Sequence, residues 1–238
     1  MTDSAPRSFR AILFDLYDTL VWLDVEQSDL GRRELAARVG VSLERLLPAW
    51  RSSVNDRMLG KGNGLAGHLA DTLAALDVVP TPELISDLVA IEQRRLEQSV
   101  HLYPSAVPVL EELGRRGYRL GLLSNVSDGA AFPIARLGLP RLFDEMILSH
   151  EVRLLKPDPA IFQLACERLG VAPEETVFVA DGGFGELDAA HRLGIFSVML
   201  EQDRQSKDYG ASSEYDLKIT DLRELELILP GKKSTDGG

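Results

Sequence analysis

Four times between residues 106 and 200, a helical apolar period runs up to a glycine and a short apolar run follows it. The helical stretches are 106–116, 128–137, 159–169 and 186–193, and they stop at Gly117, Gly138, Gly170 and Gly194. Glycine takes the left-handed turn that closes a helix without steric cost. The apolar runs are 119–123, 145–148, 176–180 and 195–200. Runs this short and continuously apolar fit strands buried on both faces. Ala11-Ile12-Leu13-Phe14 supplies one such strand ahead of them, and 216–219 with a helix near 221–229 closes the series. Strand and helix in alternation predict parallel βαβ units, hence an α/β fold built on a doubly wound parallel sheet.

Residues 24–100 interrupt that order. Apolar residues recur there three and four apart, in long helical patterns without a strand signal. Pro48 bends or restarts one of these helices, and Gly60-Lys61-Gly62-Asn63-Gly64 breaks the chain into a loop. We therefore expect a core formed by 9–23 and 101–229, an inserted α-helical cap at 24–100, and flexible tails at 1–8 and 230–238.

At 238 residues the chain can bury one sizeable core plus a smaller module. A net charge of −11 argues against a nucleic-acid partner, which needs clustered Lys and Arg. A small anionic substrate stays compatible, because a metal and one lysine make a positive site inside an acidic protein. The single cysteine, Cys166, lies in an apolar helical pattern and reads as a buried structural thiol. One cysteine allows no intramolecular disulfide, which fits a reducing compartment. The first ten residues lack the apolar core of a signal peptide, and no apolar run approaches the roughly 18 residues of a membrane span. A cytoplasmic monomer or homodimer without a membrane partner is the expectation.

Asp15, Ser124 and Asp181 each stand directly after an apolar run, and Lys156 lies in the loop after another. In a doubly wound sheet, ligands bind beyond the carboxyl ends of the strands. Two carboxylates, a hydroxyl and an ammonium are thus expected on one sheet edge. Polar residues follow strands in most proteins, so each position alone is unremarkable; the four identities together point to a catalytic centre.

The residues around these four points form ordered motifs: Phe14-Asp15-Leu16-Tyr17-Asp18-Thr19-Leu20, Leu123-Ser124-Asn125, Lys156-Pro157-Asp158-Pro159-Ala160-Ile161-Phe162, and Val179-Ala180-Asp181-Gly182-Gly183 running on through Glu186 to Ala189-Ala190. In them the chain resembles a haloacid dehalogenase superfamily hydrolase of the kind with a helical cap after the first strand. That resemblance covers nearly the whole chain. It implies that Asp15 is a nucleophile forming a covalent aspartyl intermediate. It implies Mg²⁺ held by the Asp15 carboxylate, the Tyr17 backbone carbonyl and Asp181, since Mg²⁺ takes octahedral oxygen ligands and keeps waters. Glu186 stands where a second acid is usual; it either joins through a metal-bound water or serves as a helix N-terminal carboxylate. Ser124 and Asn125 match the group that hydrogen-bonds a transferring phosphoryl oxygen, although both also suit a turn or helix cap. Lys156 would neutralise charge on the nucleophile and the transferring group.

One position departs from the phosphatase pattern. Such enzymes carry a second Asp two residues after the nucleophile, and here that residue is Tyr17. A phenol with a pKa near 10 is a weak acid at neutral pH, and general acid catalysis contributes roughly 10²–10⁴-fold. Asp18 comes one residue later, and neighbouring residues point differently. Tyr17 is also what 2-haloacid dehalogenases of the superfamily have, and those need no metal. They usually replace Asp181 with Ser, however, and two carboxylates side by side call for a cation. The resemblance thus implies a magnesium-dependent phosphatase of small phosphomonoesters, with a dehalogenase or a catalytically weakened binding protein as the other readings. In the cap, Arg57, Lys61, Asn63 and His68 are candidates to face the substrate, while Trp50 and His68 are expected to pack among the cap helices.

Overall fold

The computed structural model describes residues 8–202 and 212–230. The tails expected at 1–8 and 230–238 lie outside these residues apart from Ser8 and Pro230. In chain order, β1 (Ala11–Phe14) and β2 (Val21–Leu23) lead into α1 (Val25–Val39), α2 (Leu43–Arg51), α3 (Val54–Met58), α4 (Gly64–Ala75) and α5 (Pro82–Ser99). Then follow β3 (Val100–Leu102), α6 (Ala106–Arg115), β4 (Arg119–Ser124), α7 (Ala131–Arg136), β5 (Glu145–Leu148) and α8 (Ser149–Val152). The chain closes with α9 (Pro159–Leu169), β6 (Thr176–Ala180), α10 (Glu186–Arg192), β7 (Phe196–Leu200), β8 (Leu217–Ile219) and α11 (Leu225–Ile228).

Six strands form one parallel sheet in the order β5-β4-β1-β6-β7-β8. The chain starts at a central strand, builds outward through β4 and β5, then crosses to the other side with β6. That reversal makes a crevice at the carboxyl ends of β4, β1 and β6. Alternate residues of β1 serve opposite faces, as the pleat requires. Ile12 and Phe14 pack with Val109, Leu110, Leu113 and Leu225 of α6 and α11. Ala11 and Leu13 pack with Ile161, Phe162, Leu187 and Ala190 of α9 and α10. With helices on both faces, the strands are buried on both sides, which is why they read as continuous apolar runs.

Local signals set the helix ends. Asp24 caps α1 by accepting from the Gln27 amide, and Gly40 closes it at φ 80°. Asp158 caps α9 through the Ala160 amide, Pro159 occupies its first position, and Gly170 ends it. Close packing dictates another residue: a Cβ on Gly121 would stand 2.6 Å from Leu13 Cδ2 and 3.0 Å from Leu169 Cδ1. Glycine there lets α9 lie against the sheet.

The helices of residues 25–99 share an apolar cluster of their own, with Leu35, Leu46, Leu69, Leu73 and Leu88 at its centre. Pro48 sits inside α2, which ends three residues later, and α3 starts afresh at Val54. Residues 59–63 separate α3 from α4, as the glycines predict. One feature escaped the periodicity. β2 and β3 pair antiparallel, Trp22 opposite His101, where the chain leaves and re-enters the sheet core. Each strand has three residues, too few to show a period of two. Among the described residues, no helix is long and apolar enough to cross a membrane.

Candidate active site

The carboxyl ends of β1, β4 and β6 lie side by side. Phe14 pairs with both Leu122 and Val179, so the residues that follow those positions emerge together. The Asp15 amide donates to the Val179 carbonyl at 3.0 Å, holding the first residue beyond β1 in the sheet register. The cleft above these tips has a volume of about 220 Å³. Asp15, Tyr17, Asp18, Ser124, Asn125, Lys156, Asp181, Gly183, Phe184 and Glu186 line it. All seven residues singled out in the sequence at this edge are therefore in one place, including Glu186 at the N-terminus of α10.

Lys156 lies at the floor. Its Nζ is 2.6 Å from Asp15 Oδ1 and 2.5 Å from Glu186 Oε2, and its side chain is 3% exposed. Burial alone would push this ammonium down. The Asp15 and Glu186 carboxylates outweigh it, and the net shift is upward. The Lys156–Pro157 peptide is cis. Asn125 holds the Lys156 backbone from both sides: its Nδ2 donates to the Lys156 carbonyl, and its Oδ1 accepts from the Lys156 amide, each at 2.8 Å. Asn125 thus has a structural task in addition to lining the cleft. A further support went unnoticed in the sequence. Ser149 Oγ accepts from the Val126 amide and donates to the Val126 carbonyl, pinning the loop after Ser124.

Carboxylate oxygens of Asp15, Asp181 and Glu186 lie within 4.8 Å of one another. Burial raises Asp181 to about 6, with the charges of Asp15 and Asp18 adding to it. Burial likewise raises Glu186 to about 8; Lys156 opposes that shift and Asp15 supports it. One ammonium faces three carboxylates, so two negative charges are uncompensated when all three are ionised. This donor set, hard oxygens at close range with a charge deficit of two, fits a divalent cation such as Mg²⁺.

Tyr17 is a weaker acid than its free counterpart. Burial pushes its phenol up to about 12, with Glu92 and Asp15 adding and Arg95 opposing. Glu92 and Arg95 of α5 form a buried, doubly hydrogen-bonded pair at 2.6 and 2.7 Å. Asp18, whose reach was open in the sequence, lines the cleft. Its backbone adopts φ 55°, a left-handed turn that Asp tolerates better than most residues, and its amide donates to the Val21 carbonyl at 2.7 Å.

The four candidates from residues 57–68 are not among the lining residues. Arg57 instead ties the inserted helices to the sheet core. It donates to Ser127 Oγ at 3.2 Å, pairs with Asp128 at 3.5 Å and lies over the Trp50 ring. Lys61 pairs with Asp56 at the surface, and Asn63 is an exposed residue preceding α4. His68 is buried, with Nδ1 3.0 Å from Ser53 Oγ and its ring edge-on to Trp50. Burial, reinforced by Arg57, lowers His68 to about 4 and keeps it neutral. The expectation that Trp50 and His68 pack within these helices matches what is seen. Phe184, by contrast, was not singled out, although an aromatic residue in a run of glycines is an unusual local signal.

Comparison with known proteins agrees with this geometry. Residues 9–194 match the family model of the haloacid dehalogenase-like hydrolases. The chain is 28% identical over 201 residues to a glyceraldehyde 3-phosphate phosphatase of Methanopyrus kandleri, covering 82% of this chain and 85% of that one. It is 31% identical over 211 residues to (S)-2-haloacid dehalogenase 4A of Burkholderia cepacia, covering 85% and 87%. The crystal structure of a HAD phosphatase from Thermococcus onnurineus superposes with a TM-score of 0.65 at 26% identity, over 94% of this chain and 99% of the other. Both phosphatases and dehalogenases of this group are hydrolases, and the chain belongs to the haloacid dehalogenase-like hydrolase family.

Proposed function

We propose that this hydrolase is a magnesium-dependent phosphatase of small phosphomonoesters, working through a phosphoryl-enzyme intermediate on Asp15. The observation that carries this reading is the charge of the cleft floor. Three carboxylates within 4.8 Å share a single ammonium. Close carboxylates repel unless a proton or a cation intervenes. Mg²⁺ bound by Asp15 and Asp181, with the Tyr17 carbonyl as a further ligand, would neutralise that excess and the charge of an incoming phosphoryl group. Glu186 pairs directly with Lys156, which favours a role in setting the lysine over first contact with the metal.

The protein's own groups then divide the work. Lys156 holds Asp15 Oδ1 and leaves Oδ2 to attack phosphorus. The bond from phosphorus to the ester oxygen breaks, and the alcohol leaves with a proton. Ser124, which lines the cleft, would hydrogen-bond a phosphoryl oxygen, while Asn125 fixes the Lys156 backbone. Water then attacks the aspartyl phosphate, releasing inorganic phosphate and restoring the carboxylate. The cleft volume of about 220 Å³ lies below the range of about 300–1,000 Å³ typical for drug-sized ligands and suits a small substrate.

The dehalogenase reading has Tyr17 and the Burkholderia relative in its favour. Asp181 counts against it, because a metal-free site gains nothing from a second carboxylate beside the nucleophile. Assay of the purified protein separates the two. We expect phosphate release from p-nitrophenyl phosphate that requires Mg²⁺ and vanishes with EDTA. Chloride release from 2-chloropropionate in EDTA, with no phosphate release, would reverse the assignment.

The proton for the leaving group is a related question. With Tyr17 held at about 12, Asp18 is the lining carboxylate outside the three-acid cluster and the stronger acid by type, which makes it the candidate donor. Asp18→Asn should lower kcat by roughly 10²-fold or more toward alkyl phosphates and less toward p-nitrophenyl phosphate, whose leaving group needs little protonation. Tyr17→Phe should cost under about tenfold. The reverse ranking of the two variants would assign the proton to Tyr17.

A further inference from the structure

Arg57 is a buried charge outside the cleft, and stability alone is a poor reason for it. It is 8% exposed. It spans from the inserted helices to the sheet core, donating to Ser127 Oγ at 3.2 Å and pairing with Asp128 at 3.5 Å. Its Nε has no hydrogen-bond partner among the described residues. Burial pushes the guanidinium down although Asp128 and Glu92 oppose that shift. The cost of taking a charge out of water is offset only by close and fully satisfied pairing, and apolar residues of similar size often stabilise as well or better. A loosely paired arginine is thus a weak adhesive. What it does well is fix the position of the loop it holds.

That loop serves the site. Ser127 and Asp128 stand three and four residues beyond Ser124. Ser124 lines the cleft, and Asn125 clamps the Lys156 backbone. Residues 125–127 belong to no helix or strand, so side-chain contacts set their course. A second contact from the inserted helices bears on the same loop. Gly60, at φ 66°, lies so close to α8 that a Cβ would collide with the His150 carbonyl oxygen. The adjacent residue, Ser149, holds the Val126 amide and carbonyl. Residues 57–60 therefore bear on the loop at two points, directly at Ser127 and Asp128 and through Ser149 at Val126.

We propose that Arg57 is a positioning residue: by holding Ser127 and Asp128 it fixes the loop that presents Ser124 to the reacting group and Asn125 to Lys156, so that turnover depends on the inserted helices being docked there. That the reacting group is a phosphoryl rests on the phosphatase reading. Steady-state hydrolysis of p-nitrophenyl phosphate in saturating Mg²⁺ would be compared for wild type, Arg57→Ala, Asp128→Ala, the double variant and Arg57→Lys, each with a melting curve. Small misplacements of a reacting geometry cost up to about 10²-fold, so Arg57→Ala should lower kcat by about 10- to 100-fold while KM changes less than about threefold. Arg57→Lys keeps a charge for Asp128 and should recover most of that loss. Asp128→Ala should lower kcat less, because Ser127 remains, and the double variant should be no slower than Arg57→Ala, since both changes break one contact. An unchanged kcat in folded Arg57→Ala, or losses that multiply in the double variant, overturns the proposal. So does a KM raised about tenfold or more at unchanged kcat, which would make Arg57 a substrate ligand. Should Arg57→Ala not fold, Asp128→Ala, a change at a half-buried side chain, decides by the same measure: a lowered kcat supports the proposal and an unchanged one overturns it. If the wild type releases chloride from 2-chloropropionate and no phosphate, the phosphatase reading falls, and the same set of variants read on chloride release still decides for or against Arg57.

Discussion

Asp15→Asn should reduce turnover of p-nitrophenyl phosphate by more than about 10⁴-fold, the scale seen when a covalent nucleophile is removed. The amide is nearly isosteric, so the fold should persist. Asp15 contributes to the sheet edge chiefly through its backbone amide, which donates to Val179, and that bond is untouched. An amide cannot form the acyl phosphate, and it also withdraws the negative charge that Lys156 grips at 2.6 Å. Lys156 keeps Glu186 as its partner, so no buried ammonium is left unpaired and the melting temperature should change little. Steady-state kinetics and a melting curve on the same preparation decide the matter. Residual activity above a hundredth of wild type in a folded variant would exclude a covalent role for Asp15.

Lys156→Met should produce the largest stability loss. It leaves Asp15, Asp181 and Glu186 clustered without a countercharge, and breaking one side of a buried ion pair costs about 3–5 kcal/mol. For a chain of this size that corresponds to roughly 6–20 °C in melting temperature. The pH dependence follows from the directions of the shifts. Asp181 sits at about 6 in the fold, against 3.8 as its ordinary value, and Glu186 is raised from 4.5 to about 8. For acids shifted upward, the folded state holds the proton more tightly than the unfolded chain. Their favourable contribution is complete below about pH 4 and is lost as pH rises through about 6 to 8. Metal-free wild type should therefore melt lower at pH 8 than at pH 5. Without Lys156 both acids shift further up, so the deficit of Lys156→Met should be larger at pH 8 than at pH 5. Mg²⁺ should stabilise wild type most at pH 8, by about 2.7 kcal/mol at a hundredfold excess over Kd. A deficit independent of pH, together with no response to Mg²⁺, would mean that the three carboxylates do not act as one charged site.

Much of this site was legible in the chain because its determinants are local. The strand ends at Phe14, Ser124 and Ala180 follow from short apolar runs, and the helix stops at Gly170 and Gly194 follow from the left-handed turn. A parallel sheet with alternating crossovers then obliges Asp15, Ser124 and Asp181 to emerge on one edge, whatever else the chain does. β2 and β3 escaped notice because three residues carry no period.

What local sequence could not supply was the choice of partners. Lys156 reaches both Asp15 and Glu186, Asn125 clamps the Lys156 backbone, and Arg57 docks on Ser127 and Asp128 rather than entering the cleft. Each of these contacts joins residues dozens of positions apart, through crossovers whose paths no short window encodes. Likewise Asp18 lines the cleft because its backbone turns to φ 55°, and Phe184 is exposed at the rim because its loop turns to φ 58°. Apolar period and glycine placement settled the sheet and the edge on which the reactive groups stand, since those are properties of consecutive residues. Which groups share a proton, a cation or a substrate was decided only by the packing of distant segments, because Coulomb and hydrogen-bond energies depend on separation in space and not along the chain.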